Sequence, residues 1–377
     1  MGSGLHGIGE AVTANLVRVC EQNAKGSCGP REHAIVNLET LEADAAAHLE
    51  PSARSYIERG AGSGDTRAAN LAAWRRLRLR PRVLRDVARV QTETTVLGVP
   101  VASPVLVAPT AMHRLACDEG ERATARAAAE ARTIMIVSMA SSFPLEAVAA
   151  AAPDAPRFAQ MYMLRDRGKA RALAEHARAC GCRAIVASVD GAAVPYGRAA
   201  RADARIELPD DVARLVDDFD PSVTFDDLGR FHDWSGLPVV VKGVLRGDDA
   251  IRCVDAGASA IAVSNHGGRL VDGCLDTATA LADVVDDVAA TAEIYVDGGL
   301  RSGADVLRAL ALGARATLIG RPVLWGLAIG GEQGALDVLT SYTNDLRRAM
   351  AFCGATSLAE IDRDLVVPTH GDPRDTR

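Results

Sequence analysis

The sequence predicts an α/β chain whose parallel strands close into a (β/α)8 barrel, entered through a helical segment and a β-hairpin. Three observations carry that expectation. From about residue 105 onward, short β-branched runs alternate with Ala/Arg/Glu-rich stretches of helical period, and such alternation builds a parallel sheet. There are eight such runs, at 105–108, 134–138, 158–161, 184–190, 239–242, 260–264, 294–297 and 317–319. No glycine-rich dinucleotide fingerprint follows the first, which favours a closed TIM barrel over a doubly wound sheet.

Residues 1–35 show no clear period and read as a loose arm before the domain. Apolar spacing over 41–59 fits one or two short helices, stopped by the cluster Gly60-Ala61-Gly62-Ser63-Gly64. Alternating β-formers over 92–101, around Leu97-Gly98, predict a hairpin. Helical patterns are clearest at 119–132, 167–180, 248–256, 277–290 and 303–312. The barrel domain is expected to span 36–367, with 368–377 as a tail.

Composition narrows the function. A net charge of −7 gives no electrostatic reason to expect nucleic acid or an anionic membrane as partner. No apolar run is long enough for a membrane span. The start, Met1-Gly2-Ser3-Gly4, lacks the pattern of a secretory signal, so a cytoplasmic protein is expected. Eight scattered cysteines, the closest pair being Cys180 and Cys182, match neither a redox CxxC nor a zinc-finger spacing and are read as free thiols.

Polar residues fall where a barrel places its chemistry. Thr110, Ser138, Gln160 with Tyr162, Ser188 with Asp190, Lys242, Ser264 with His266, Asp297, and Gly320 with Arg321 all sit at or just past successive strand ends. In a barrel those ends share the face that carries the active site. Asp297-Gly298-Gly299-Leu300-Arg301 and Gly320-Arg321 follow the last two strands, the usual place for a phosphate, where glycines admit backbone N–H groups and arginines bind oxygens in pairs. His266 lies in an exposed glycine-flanked loop three residues before Arg269, so one loop offers a base and a carboxylate fork. Asp190 can hold the imidazole in one tautomer and stabilise its cation. Lys242, after three valines, aims an ammonium into the barrel mouth, where an anionic cofactor or substrate would satisfy it. Tyr162 and Gln160 share one face of the third strand.

These segments resemble the FMN-dependent 2-hydroxy-acid oxidases and dehydrogenases, the group of glycolate oxidase, lactate oxidase and mandelate dehydrogenase. The resemblance covers about residues 35–365. It is carried by Ala108-Pro109-Thr110-Ala111-Met112, Glu119-Gly120-Glu121-Arg122-Ala123-Thr124-Ala125-Arg126-Ala127-Ala128, Val241-Lys242-Gly243-Val244, Ser264-Asn265-His266-Gly267-Gly268-Arg269, Asp297-Gly298-Gly299, and Ala309-Leu310-Ala311-Leu312-Gly313-Ala314 with Ile319-Gly320-Arg321-Pro322. It implies FMN held by Pro109, Thr110, Ala111, Ser138, Gln160, Ser188, Lys242 and Ser264, with its phosphate at Asp297, Gly298, Gly299 and Arg301 and at Gly320 and Arg321. It also implies His266 as base paired with Asp190, Lys242 against negative charge on the reduced flavin, Arg269 on the substrate carboxylate, and Tyr162 on the substrate oxygen. The expected partners are a small-molecule 2-hydroxy acid and O2 or another electron acceptor. By the same resemblance the chain is expected to be a homo-oligomer, a tetramer.

The chain departs from that pattern on the substrate side. Where the family places a tyrosine two residues before the position of Tyr56, this chain has Arg54. The family's second carboxylate-gripping arginine falls on Ala199, leaving Arg198, Arg201 or Arg54 as candidates to replace it. Ala140 stands where the family often has a bulky aromatic, and the segment 208–222 is shorter than the lid of plant glycolate oxidase. The expectation is therefore a substrate larger than glycolate or otherwise atypical. The alternatives are oxidation of a non-hydroxy-acid centre in a biosynthetic pathway, or a flavin-barrel isomerase.

Overall fold

The computed structural model describes residues 36–191 and 217–368. All of these fall within the compact unit Ile35–Arg377. The N-terminal arm, Arg198, Arg201, Ala199, most of the shortened 208–222 segment and residues 369–377 lie outside the described residues.

Three helices lead in: α1 (Leu41–Ala46), α2 (Pro51–Glu58) and α3 (Asp65–Arg76). Pro51 opens α2 at a position where its missing N–H costs nothing. α3 begins after Gly64, at φ +87°, which turns the chain out of the glycine cluster. No side chain of its own caps α3. Asp272, about 200 residues later, accepts from the N–H groups of Ser63 (2.8 Å), Gly64 (3.2 Å) and Thr66 (3.0 Å) and from Ser63 Oγ (2.7 Å). A carboxylate there meets the otherwise orphaned donors and the positive end of the helix dipole. A short strand β1 (Leu77–Leu79) follows, then the hairpin β2 (Thr94–Val96) and β3 (Val99–Val101). Leu97 and Gly98 both have positive φ, the turn whose twist matches a two-residue hairpin.

The barrel consists of β4 (Val105–Val107), then α4 (Gly120–Glu130), β5 (Met135–Val137), α5 (Leu145–Ala151), β6 (Arg157–Met161), α6 (Arg167–Ala179) and β7 (Ile185–Ser188). It continues through α7 (Leu228–Ser235), β8 (Val239–Val244), α8 (Gly247–Asp255), β9 (Ala260–Val263), α9 (Thr277–Val288), β10 (Glu293–Val296), α10 (Gly303–Ala311) and β11 (Ala316–Ile319). α11 (Arg321–Cys353), bent at Gly330-Gly331, and β12 (Val366–Pro368), paired with β1, complete the unit. β4 to β11 are parallel and close in chain order, β11 pairing back onto β4. All eight expected strands are present. The fourth ends at Ser188 rather than 190, which leaves Asp190 on the turn beyond it. The tail was expected to start at 368, but Pro368 is the last residue of β12.

Each strand is buried on both faces, as barrel closure requires. Leu106, Ile134, Ile136, Phe158, Val186, Val240, Ala262, Tyr295 and Leu318 fill the interior, and Val96 and Val101 of the hairpin join that cluster at the strand-start end. The hairpin is fastened there: Leu97 N–H donates to the Glu293 carboxylate, and Arg315 donates to Thr95 O at 2.9 Å. The opposite end, where the strands finish, is left for the polar residues. No helix among the described residues is long and apolar enough to cross a membrane.

Candidate active site

Across β5, β6 and β7 the strand ends are joined by side chains. Gln160 accepts from Ser138 Oγ and Met139 N–H, both at 3.2 Å, and donates to Ser188 Oγ at 3.1 Å. The row resumes across β8, β9 and β10. There Lys242 Nζ donates to Ser264 Oγ at 2.8 Å and pairs with Asp297 Oδ2 at 3.0 Å. Asp297, expected in the phosphate loop, instead supplies the counter-charge of Lys242. Burial alone would depress the Lys242 pKa, but Asp297 and Asp190 raise it, so the ammonium stays charged. The partner expected from an anionic ligand is thus already present in the chain.

His266 stands above this row. Its backbone is left-handed (φ +58°), as are Gly267 and Gly268, and its N–H donates to Ser264 Oγ at 3.0 Å. Three successive left-handed residues are feasible because two are glycines. A Cβ on Gly268 would lie 2.6 Å from Arg67 N, so the loop also presses against α3. His266 Nδ1 meets Asp190 Oδ2 at 3.0 Å. Burial would raise the Asp190 pKa, but the imidazole and the Lys242 ammonium more than offset it and hold the carboxyl below its usual range. With Nδ1 engaged, Nε2 is the nitrogen left to exchange a proton.

Asn265, with no role assigned from the sequence, anchors the loop. Its amide forms two reciprocal 2.8 Å bonds with Asn70 on α3, and its Oδ1 also accepts from Gly268 N–H at 3.1 Å. Asn70 Oδ1 in turn accepts from Thr277 N–H. Gly299 owes its identity to the same helix: a Cβ there would lie 2.4 Å from Asn70 O. Close packing against α3 therefore requires a glycine there.

Tyr162 is half-buried, just past the end of β6, and stacks on Phe219 with ring centroids 4.2 Å apart. Burial, and then the Asp190 charge, push its hydroxyl pKa up, so it remains a donor. Arg269 Nη1 donates to Ile57 O at 3.1 Å, and its guanidinium carbon lies 4.9 Å from the Tyr56 ring centre. Its Nε and Nη2 make no bond to another described residue, which leaves one edge of the fork for a carboxylate. Arg54 pairs with Glu58 at 3.1 Å and is half exposed. Ala140 sits beside Ser138, whose Oγ accepts its N–H at 3.2 Å.

At the strand-end face, Arg321 opens α11 and donates to Ile57 O, Gly267 O and Arg59 O at 2.9–3.0 Å. Burial, then the neighbouring Arg269, Arg301 and Arg67, drive its pKa well down, with relief from Glu42. Arg301 stacks near Trp325, and its buried Nε has no hydrogen-bond partner among the described residues, nor has Arg67 Nε. Guanidinium groups crowded this way, with orphaned donors, at the N-terminus of α11 fit a phosphate dianion. Gly320 adjoins Thr110: a Cβ on it would lie 3.1 Å from Thr110 Cγ2. Pro109, Thr110 and Ala111 follow β4 at the same end, and Thr110 Oγ1 meets His113 Nε2 at 2.6 Å. His113 is fully buried, its Nδ1 is 2.8 Å from Thr124 Oγ1, and burial lowers its pKa despite nearby Glu121. Glu121 itself accepts from His113 N–H and Ser142 N–H, tying the β4 and β5 loops together.

Asn70, Arg67, His113, Glu121 and Phe219 thus join the site without having been assigned roles from the sequence. Only Glu121 carried a signal, as part of the motif at 119–128.

The chain matches the FMN-dependent dehydrogenase family over residues 45–218 and 210–368. It is 41% identical over 353 residues to an L-lactate oxidase of a Nostoc species, covering 87% of this chain and 96% of that one. The match to human 2-hydroxyacid oxidase 2 is 40% over 348 residues, with 88% and 98% covered. Among solved structures it superposes on mandelate oxidase (TM-score 0.80, 38% identity, 89% and 99% covered) and on a Pediococcus acidilactici protein described as a putative lactate oxidase (0.85, 31%, 92% and 98%). These matches span most of the chain and of each relative: the chain belongs to the FMN-dependent dehydrogenase family and oxidises a 2-hydroxy acid.

Proposed function

We propose that His266 is the base of this reaction, that Asp190, Lys242, Tyr162 and Arg269 act around it, and that the substrate is bulkier than glycolate. The observation that carries the first part is the His266 Nδ1–Asp190 Oδ2 bond of 3.0 Å above the row of strand-end side chains. Bound FMN supplies the two-electron acceptor that turns the 2-hydroxy acid into a 2-oxo acid. His266 Nε2 takes the substrate's proton, and Asp190 stabilises the imidazolium that results. Arg269 fixes the carboxylate through its free edge, and Tyr162 donates to the substrate oxygen. Lys242, neutralised by Asp297 and still protonated, holds positive charge beneath the reacting centre.

The residues that would hold FMN are Pro109, Thr110 and Ala111 after β4, Ser138, Gln160 and Ser188 in the first side-chain row, and Lys242 and Ser264 in the second. Arg301, Gly298, Gly299, Gly320 and Arg321 would face its phosphate, with Arg67 added.

Bulk is supported by Ala140, whose side chain ends at Cβ, and by Arg54, whose guanidinium is taken up by Glu58. A mandelate oxidase mutant has been solved with (S)-mandelic acid, an aryl-bearing 2-hydroxy acid, which supports the same reading. Arg198 and Arg201 remain the candidates for a second carboxylate contact. The names of the relatives favour O2 as acceptor, and a homotetramer in the cytoplasm belongs to the same proposal. Anaerobic bleaching of the flavin by glycolate, L-lactate and mandelate is the test. Mandelate should reduce it with the highest second-order rate constant, and equal or faster reduction by glycolate would overturn the size argument.

A further inference from the structure

Away from the catalytic face, three unlike donors converge between α5 and α6. Glu146 lies in the first turn of α5. His176 lies in the last turn of α6, and Cys180 caps that helix four residues on. His176 Nε2 is 3.0 Å from Glu146 Oε2 and 3.5 Å from Cys180 Sγ, and all three atoms lie within 4.8 Å of one another. We propose that Glu146, His176 and Cys180 form a binding site for a divalent zinc-class cation.

Bond lengths decide whether an ion fits. With Zn–S near 2.3 Å and Zn–N and Zn–O near 2.0–2.1 Å, tetrahedral angles put sulfur and nitrogen about 3.6 Å apart, and nitrogen and oxygen about 3.3 Å apart. The separations are 3.5 and 3.0 Å, and the sulfur lies within 4.8 Å of the carboxylate oxygen, so rotation of the exposed Glu146 side chain would bring all three onto an ion. A carboxylate and a thiolate carry two negative charges against the +2 of the metal, leaving the site neutral. His and Cys four apart stand on the same helical face, one turn above the other. Imidazole with thiolate selects a borderline or soft ion over magnesium or calcium.

The frame is built as well as the donors. Buried Arg157 donates to Cys180 O at 2.9 Å and to Pro153 O at 3.0 Å, and it also bonds Ala152 O, so one guanidinium ties the end of α5 to the end of α6. The donors themselves are accessible: the Glu146 and His176 side chains are 61% and 44% exposed. Cys180 has no disulfide partner. Three protein ligands leave a fourth position for water, as in an open site. Binding balances as the thiol losing its proton to solvent when the metal–sulfur bond forms. Burial and the charge of Glu146 keep that thiol protonated beforehand, so affinity should rise with pH. α6 runs back from the end of β6 to the start of β7, so Cys180 lies on the strand-start side, opposite the His266 loop.

Calorimetric titration of EDTA-treated holoenzyme with ZnCl2 tests the site. One equivalent should bind, with a Kd on the order of micromolar, weaker than four-ligand structural zinc. Cys180→Ser and His176→Ala should each weaken that equivalent at least about tenfold, Cys182→Ser should leave it intact, and flavin reduction should be unchanged in all of them. Wild-type binding should also release close to one proton, read from isotherms in buffers of different ionisation enthalpy. Isotherms that coincide for wild type, Cys180→Ser and His176→Ala, or a wild type that takes up no zinc, would overturn the proposal.

Discussion

Around His266 nearly every polar neighbour is bonded to something rigid. Asn265 is locked to Asn70, Asp272 caps α3, and Lys242 is neutralised by Asp297. At the positions that depart from the family pattern the contacts are few and superficial. Among the described residues Arg54 pairs with Glu58 one turn along its own helix, and Ala140 offers a single methyl group. The two sides answer different demands. Proton transfer and carboxylate capture need groups held to fractions of an ångström, whereas substrate choice needs only volume and an edge of complementary chemistry. One side can therefore change its residues without loosening the other.

The sharpest way to break this contrast is to remove the base. His266→Ala should retain FMN, whose other contacts are untouched, yet slow flavin reduction by roughly 10²–10⁴-fold. Stopped-flow reduction measures it, and a loss under tenfold would remove His266 from the chemistry. At the departing positions, Ala140→Trp should invert selectivity. It should cost bulky hydroxy acids about 10–100-fold in kcat/KM while sparing glycolate, since a misfitted apolar group is worth roughly 1–3 kcal/mol.

Asp272 probes the scaffold of the His266 side by pH. Bonds from Thr66 N–H and Ser63 hold its carboxyl pKa down to about 2, below the ~3.9 of an unfolded aspartate. Its stabilisation is therefore complete above about pH 4 and is lost as pH falls toward 2. The melting temperature of wild type should exceed that of Asp272→Asn by a steady margin from pH 7 to 5, and the two should converge on further acidification. A margin that persists at pH 2 would assign the effect to packing. The smallest effect expected is that of Arg54→Ala. An exposed pair of this kind contributes about 0.2–1 kcal/mol, so kcat/KM for mandelate should fall less than about threefold. A larger loss would show that Arg54 leaves Glu58 to grip the substrate.

Much of this was legible before any coordinates. Strands buried on both faces read as unbroken β-branched runs, and a barrel turns each run's end toward one mouth, so Ser138, Gln160, Lys242 and Ser264 could be picked by position alone. Asp190 lies beside His266, but on a turn past Ser188 instead of in the strand, because strand ends depend on neighbouring strands. Partners were harder to read. Nothing in the residues around 70 marks Asn70 as the mate of Asn265, 195 positions later. The counter-ion of Lys242 was expected from a ligand, because a single sequence does not show which acid a barrel closure will bring alongside. Nothing in the sequence around His113 marks its enclosure by Thr110, Thr124 and Glu121.

The fastening of the His266 loop to α3 also bears on how the enzyme is made. The Asn70–Asn265 and Thr66–Asp272 bonds close loops of 195 and 206 residues. Ordering such a loop costs about 2–3 kcal/mol more than closing one of ten residues, and contacts this distant in sequence form late. During synthesis α3 leaves the ribosome long before its acceptor on the β9–α9 connection exists. The helix must wait, and the catalytic loop takes its left-handed course only once the two have met. Enzyme activity should then be among the last properties a refolding chain recovers, lagging the signals that report a closed barrel.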